Sequence, residues 1–245
     1  MKNPLTRRQT LSLLRAAGTA ILVIGCTSRK SSSAQAQYSS KAKLTSLACV
    51  VSPQQTEGPY FVDDKLNRSD IRTDPTDGTV KEGVPLQLTL KISQVSSNGC
   101  VPLENAIVDI WHCDALGVYS DVQDRSFNTV GKKFLRGYQT TDANGTVNFT
   151  TIYPGWYPGR TTHIHVKVRT QATSGQGYEF ISQLYFDDSI SNQVYTLAPY
   201  ASKGQHTANN AQDGIFNDGG AQMLLKLTPA ENGYGATLDI GVQMT

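Results

Sequence analysis

The chain has 245 residues, of which 38% are hydrophobic, 8% aromatic and 17% charged, with 21 Gly and 10 Pro. That fits one domain of ordinary size behind an N-terminal leader, and it suits a loop-rich β protein. The formal charge of +2 comes from the leader: Lys2, Arg7, Arg8 and Arg15 precede Cys26 with no acid among them, and residues 26–245 carry 18 basic against 20 acidic side chains, a net −2, which leaves no basic patch for nucleic acid.

Residues 1–26 read as an export signal. Arg7-Arg8 is a twin-arginine pair followed by Gln9-Thr10-Leu11, and Ala16–Gly25 is an apolar run too short to span a bilayer as a stable helix. It ends in Val23-Ile24-Gly25-Cys26, similar to a bacterial lipoprotein cleavage box in which Cys26 becomes the lipidated first residue; simple cleavage by the ordinary signal peptidase is the alternative. The expected location is therefore periplasmic or at the cell surface, with the membrane reached only through a lipid anchor. Residues 27–48 read as a tether, since Thr27–Lys43 is rich in Ser, Ala, Gln and Lys and has almost nothing large and apolar to bury.

Residues 49–245 form the predicted folded domain. Val84–Val95 alternates apolar with polar residues and predicts a strand with one buried face; Ser97-Asn98-Gly99 is a turn, and Ala106–Trp111 is the next strand. Thr141–Thr146 is a hairpin signal between strands at Phe134–Thr140 and Val147–Ile152. His163–Arg169 and Phe180–Phe186 follow, and Leu224–Leu227 and Ala236–Val242 close the chain. Short strands with turn residues between them and little helical periodicity predict an all-β protein, an antiparallel β-sandwich with long loops. Transthyretin-like binding modules share this order of signals, so the fold does not separate an enzyme from a binding module.

Within this frame, Ile164, Val166 and Val168 alternate with His163 and His165, so both imidazoles leave one face of a strand and can hold one metal ion. Tyr157 lies just upstream in Trp156-Tyr157-Pro158-Gly159-Arg160, and Tyr119 in Leu116-Gly117-Val118-Tyr119. Phenolate is a hard anionic donor, and a set of two Tyr and two His points to Fe(III) rather than Zn²⁺. The chain has no His-Glu-x-x-His, and no Glu closely follows His163-Ile164-His165 as it does in cupin barrels. The remaining alternatives are a zinc site using His163 and His165 alone, or half-buried tyrosines with no metal. His112, beside Trp111, reads as structural, and His206, in a Gly/Asn-rich loop, as solvated.

The motifs in this order resemble the intradiol ring-cleavage dioxygenases, in particular a secreted single-domain branch: Gly117-Val118-Tyr119, then Pro154-Gly155-Trp156-Tyr157-Pro158, then Arg160-Thr161-Thr162-His163-Ile164-His165, with Thr56-Glu57-Gly58-Pro59-Tyr60 upstream. The resemblance runs from about Cys49 to the C-terminus. It implies a non-haem Fe(III) ion held by Tyr119, Tyr157, His163 and His165, and cleavage of a catechol-type diol by O₂ between its hydroxyl-bearing carbons to a muconic-acid-type product. It further implies that Tyr119 is a permanent ligand and that Tyr157 leaves as substrate binds, taking a proton. Arg160 would stabilise negative charge developing on the ring, or else form a surface salt bridge; Tyr60 would line the substrate mouth. Only Pro158 and Gly159 separate Tyr157 from Arg160, where cytoplasmic members carry a longer insertion, so the ring substituents stay open. Similar secreted members carry two cysteines matching Cys49 and Cys100, which implies a disulfide between them; Cys113 is the other possible partner. A non-catalytic exported β-sandwich that binds a partner is the competing reading.

Overall fold

The computed structural model of the chain describes residues 50–170 and 177–244. Among these residues nine strands form in chain order: β1 Pro85–Ser96, β2 Gly99–Pro102, β3 Ile107–Trp111, β4 Arg136–Thr140, β5 Thr146–Ile152, β6 His163–Arg169, β7 Glu179–Tyr185, β8 Thr228–Ala230 and β9 Gly233–Val242. The alternation in β1 has the predicted consequence: Leu86, Leu88, Leu90 and Ile92 are buried on one face while Gln87 and Lys91 are exposed. Full burial stabilises each such aliphatic side chain by about 2 kcal/mol, which makes β1 the spine of its sheet.

Two sheets result. In one, β9 runs along one edge of β1, with β8 beyond it, while β5 and β2 share the other edge. The second has the order β4-β3-β6-β7, antiparallel throughout. The β1–β9 pair is parallel, because the β8–β9 hairpin delivers β9 to the free edge of β1 in the same direction; in this one pair the ladder departs from the antiparallel expectation. The sheets enclose one core that includes Val108, Ile110, Phe149, Ile164, Val166, Val168 and Leu184.

One expectation is corrected at the C-terminal side. Leu224–Leu227 is not a strand: Leu224 makes an isolated bridge with Tyr185, and Leu225 N donates to Tyr185 O at 2.8 Å, so this apolar run packs on the end of β7 while the ladder begins at Thr228. A seven-residue helix, α1 (Asp188–Val194), follows β7; the Asp187 carboxylate caps it by accepting from Ser189 N, and Val194 is buried. Among the described residues, no helix is long and apolar enough to cross a membrane.

The period of two along each strand leaves the second sheet with a polar and aromatic outer face. Register aligns Arg136, Trp111, His165 and Gln183 in one row across β4, β3, β6 and β7, with His163 opposite Tyr185 in the next row. Loops and the segment Pro53–Asp64 cover this face. They are tied down by Gln55 N to Ile181 O (2.8 Å), Gln183 Nε2 to Thr56 O (3.1 Å) and Lys167 Nζ to Glu57 Oε1 (3.0 Å).

Candidate metal centre

Strand β6 fixes the two imidazoles. His163 Nδ1 lies 2.7 Å from Thr161 O. A carbonyl can only accept, so Nδ1 carries the proton and Nε2 presents its lone pair to the site. His165 is held by packing: its ring stacks on Trp111 with centroids 4.8 Å apart and planes at 6°. On another side it meets Gly58, where a Cβ would sit 3.1 Å from His165 Cε1. The two Nε2 atoms are 3.2 Å apart.

Two loops supply the phenols. The Tyr157 hydroxyl is 3.0 Å from His163 Nε2, and the Tyr119 ring lies 5.8 Å from Tyr157 and 6.1 Å from His165. Tyr119 is 1% exposed, its hydroxyl has no hydrogen-bond partner, and Thr129 Oγ1 donates to its carbonyl at 2.6 Å. Tyr157 is half-buried and precedes the exposed Pro158 and Gly159. All four residues singled out as ligands in the sequence therefore converge.

The donors fit a metal ion. An unpartnered buried hydroxyl costs roughly 1–3 kcal/mol, and Tyr119, whose ring packs beside Tyr157 and His165, keeps one. Separations of 3.0 and 3.2 Å between neighbouring donor atoms match two ligands side by side on an ion about 2.1 Å from each. Burial keeps both imidazoles neutral, the form that ligates: it pushes the pKa of His163 down to about 3, aided by the Arg160 charge, and that of His165 well below its ordinary value. Burial also pushes Tyr157 up to about 12, opposed by Arg160, and Tyr119 well above its ordinary value. Without a cation the phenols keep their protons. Among the described residues no three His, Cys, Asp or Glu gather, so a zinc site of the usual ligand types would have only the two imidazoles here.

Arg160 is fixed beside this set. Its Nε donates to Asp213 Oδ2 at 2.8 Å and its Nη2 to Gln183 Oε1 at 2.5 Å. Asp213 is 1% exposed and also accepts from Thr161 N, Ile215 N and Phe216 N. The salt bridge anticipated for Arg160 exists, but with a buried partner. Tyr60 packs on Tyr119 at 4.6 Å and donates to Asp124 Oδ2 at 2.8 Å, which puts it at the rim of the ligand set.

Sequence reasoning missed Trp111 as the platform for His165, and missed Gln183 and Asp213 as the mounts of Arg160. The Asp213-Gly214 pair was a helix-cap signal, and Gln183 was a polar residue next to the apolar run Leu184-Tyr185-Phe186. His112 is structural: it is buried between Cys113 O (2.8 Å) and Thr151 Oγ1 (2.7 Å). His206 is half-buried and bonded to Ala208 O and Asn192 Oδ1, which corrects its reading as solvated. Cys100 is disulfide-bonded and Cys113 is a buried free thiol, which removes Cys113 as the partner; Cys49 and Cys26 lie outside the described residues.

Comparison with known proteins gives a family and a fold. The family described as Dioxygenase matches residues 56–196. The beta chain of protocatechuate 3,4-dioxygenase from Burkholderia cepacia is 32% identical over 122 residues, 46% of this chain and 51% of that one. An intradiol ring-cleavage dioxygenase from Tetranychus urticae superposes with a TM-score of 0.67 at 32% identity, covering 80% of this chain and 95% of that one. The dioxygenase domain of a dioxygenase–carbohydrate-binding protein fusion from Streptomyces sp. SirexAA-E gives a TM-score of 0.55 at 30% identity, covering 80% of this chain and all of that domain. The chain spans about half the length, or less, of the curated relatives it matches.

Proposed function

The chain belongs to the intradiol ring-cleavage dioxygenases, and from that premise we propose that it cleaves catechol-type aromatic diols with O₂ between the two hydroxyl-bearing carbons, giving muconic-acid-type products. The observation that carries this reading is the convergence of two phenols and two imidazoles, with an unpartnered Tyr119 hydroxyl among them. A non-haem Fe(III) ion held by Tyr119, Tyr157, His163 and His165 would supply the Lewis acidity that lowers the pKa of a bound diol.

The remaining roles fall to the chain. Tyr157 is the half-buried phenol beside Pro158 and Gly159; it has room to swing out, and its oxygen receives a diol proton. Tyr119 is enclosed and stays. The Arg160 guanidinium, held by Asp213 and Gln183, stabilises negative charge developing on the ring. Tyr60 lines the mouth, its phenol fixed by Asp124.

The same proposal includes export. Arg7-Arg8 supports a twin-arginine route, Cys26 a lipid anchor, and residues 27–48 a tether, all outside the described residues. The two-residue link from Tyr157 to Arg160 supports a place in the secreted single-domain branch, and the family's cysteine pattern supports Cys49 as the partner of Cys100. Changing Cys26 to Ser should release the protein from the membrane fraction, and Arg7-Arg8 to Lys-Lys should hold it in the cytoplasm.

Colour and product test the activity. Phenolate-to-Fe(III) charge transfer absorbs in the visible, so protein loaded with Fe(II) anaerobically and then oxidised in air should be red-brown, and oxygen uptake on catechol should yield a colourless muconate. A protein that stays colourless, or a yellow semialdehyde product, contradicts the proposal.

A further inference from the structure

The loops that carry Tyr119 and Tyr157 meet backbone to backbone. A side chain at Gly117, whose φ is +82°, would collide with the Trp156 carbonyl and the Lys203 ammonium; one at Gly155 would collide with the carbonyls of Asp114 and Ala115. Gly155 N donates to Asp114 O at 3.1 Å. The carbonyls of Leu116 and Trp156, three residues before Tyr119 and one before Tyr157, both lie at Lys203 Nζ, at 2.5 and 2.6 Å. Two carbonyl dipoles aimed at one point repel each other unless a cation sits between them, and an ammonium on two carbonyls makes two charge-assisted hydrogen bonds. The same ammonium lies 4.7 Å above the Trp156 ring.

Lys203 stands on a rigid base. It follows the 3-10 turn Tyr200–Ser202. Tyr200 is buried, and its hydroxyl donates to Tyr153 O at 2.6 Å and accepts from Val84 N at 3.0 Å. The next residue holds the second loop again, as Trp156 Nε1 donates to Gly204 O at 2.9 Å. The first loop is closed on itself by Asp114, whose Oδ1 accepts from Leu116 N and Val118 N while its Oδ2 is taken by Lys81. The first loop is thus ordered by Asp114, the two loops touch at the Gly155 N–Asp114 O bond, and the Lys203 ammonium is a further shared partner of both.

We propose that Lys203 is a positioning residue that sets the span between the Tyr119 and Tyr157 phenols. This rests on the reading of those two phenols as ligands of one ion. Residues that orient ligands typically change metal affinity or activity 10–100-fold when removed; Lys203 would act on two ligands at once, through their backbones.

The test compares wild type with Lys203→Met, which keeps the stem but removes the ammonium, and Lys203→Arg, which restores a cation. Fe(III) affinity is read by competition with a chelator, the centre by its visible band, and the fold by the melting point of metal-free protein. Lys203→Met should bind Fe(III) about tenfold more weakly or worse, with a shifted and broadened band, and Lys203→Arg should recover most of both. If Lys203→Met does not fold, Lys203→Gln replaces it with the same expectation. A Lys203→Met protein that melts lower but keeps wild-type band and affinity would make Lys203 a structural prop and overturn the proposal alone. A wild type that takes up no iron would overturn the reading of the centre, and this proposal with it.

Discussion

The Tyr157 hydroxyl donates to His163 Nε2 across 3.0 Å, because the other ring nitrogen of His163 has its proton committed to Thr161 O. Tyr119, one ring away, has no such partner. In the metal-free protein the two phenols are therefore not equivalent: one is satisfied by a prospective co-ligand, and the other is satisfied by nothing.

That asymmetry predicts opposite effects of two identical substitutions. Tyr119→Phe removes an unsatisfied buried hydroxyl and should stabilise metal-free protein by about 1 kcal/mol, whereas Tyr157→Phe takes the nearer donor from His163 Nε2, leaving it only His165 Nε2 at 3.2 Å, and should destabilise it by a similar amount. Denaturant midpoints without metal test this. With iron, Tyr157→Phe should keep the ion, shift the visible band and slow substrate deprotonation; Tyr119→Phe should lose iron more readily. Equal iron loss from both variants would mean that Tyr157 is not the leaving ligand.

Acid should destabilise the metal-free protein well above the usual carboxylate range. Burial holds His112 at about 4, His163 at about 3 and His165 well below its ordinary value, against about 6.5 in an unfolded chain. From pH 6 down to 4 the unfolded state therefore binds up to three protons that the folded state refuses, and stability falls with pH. Asp109 works in the opposite sense: burial raises it to about 6 despite Arg169, so the folded state takes up one extra proton in this window. The net of about two protons corresponds to about 3 kcal/mol per pH unit. Urea midpoints at pH 7, 6 and 5 measure it, and a flat profile would show that these imidazoles are not held neutral.

Legibility in the sequence followed the range of the forces involved. β6 has the predicted bounds His163–Arg169 because alternation is a local signal, and three of the four converging donors, Tyr157, His163 and His165, lie in one short motif, with Tyr119 in a second. The parallel β1–β9 ladder joins segments more than 140 residues apart, and nothing local encodes the choice of partner edge. The helix Asp188–Val194 is only seven residues long, and apart from its Asp187 cap its sequence has no helical stripe to read. Trp111, Gln183 and Lys203 act through space on a ring, a guanidinium and two carbonyls, and their neighbours in sequence carry no trace of those contacts.

Asp213 should matter to turnover more than to metal. It holds Arg160 Nε and Thr161 N on one oxygen and caps the helical turn Gly214–Asn217 with the other. Asp213→Asn puts an amide where two donors need an acceptor. Most of the resulting cost, about 2 kcal/mol, should come from the uncompensated Arg160. With Arg160 no longer aimed, kcat for catechol should drop about tenfold while iron content and the visible band stay near wild type. Unchanged kcat at full iron occupancy would remove Arg160 from the ring's electrostatics.

Gly58 links the covering segment to His165. Its φ is +72°, and a Cβ there would stand 3.1 Å from His165 Cε1. A left-handed conformation costs a residue with a Cβ about 1–2 kcal/mol. The close contact adds to that, because His165 cannot yield freely: Trp111 lies flat against it at 4.8 Å. Gly58→Ala should therefore lower metal-free stability by about 2 kcal/mol and, by nudging His165, weaken Fe(III) binding several-fold. Gly78, with a similar φ of +77° but open space around it, is the control: Gly78→Ala carries the backbone cost alone and should leave iron affinity untouched. If the two variants bound iron equally well, the segment around Gly58 would be a cover over the site and not a constraint on His165.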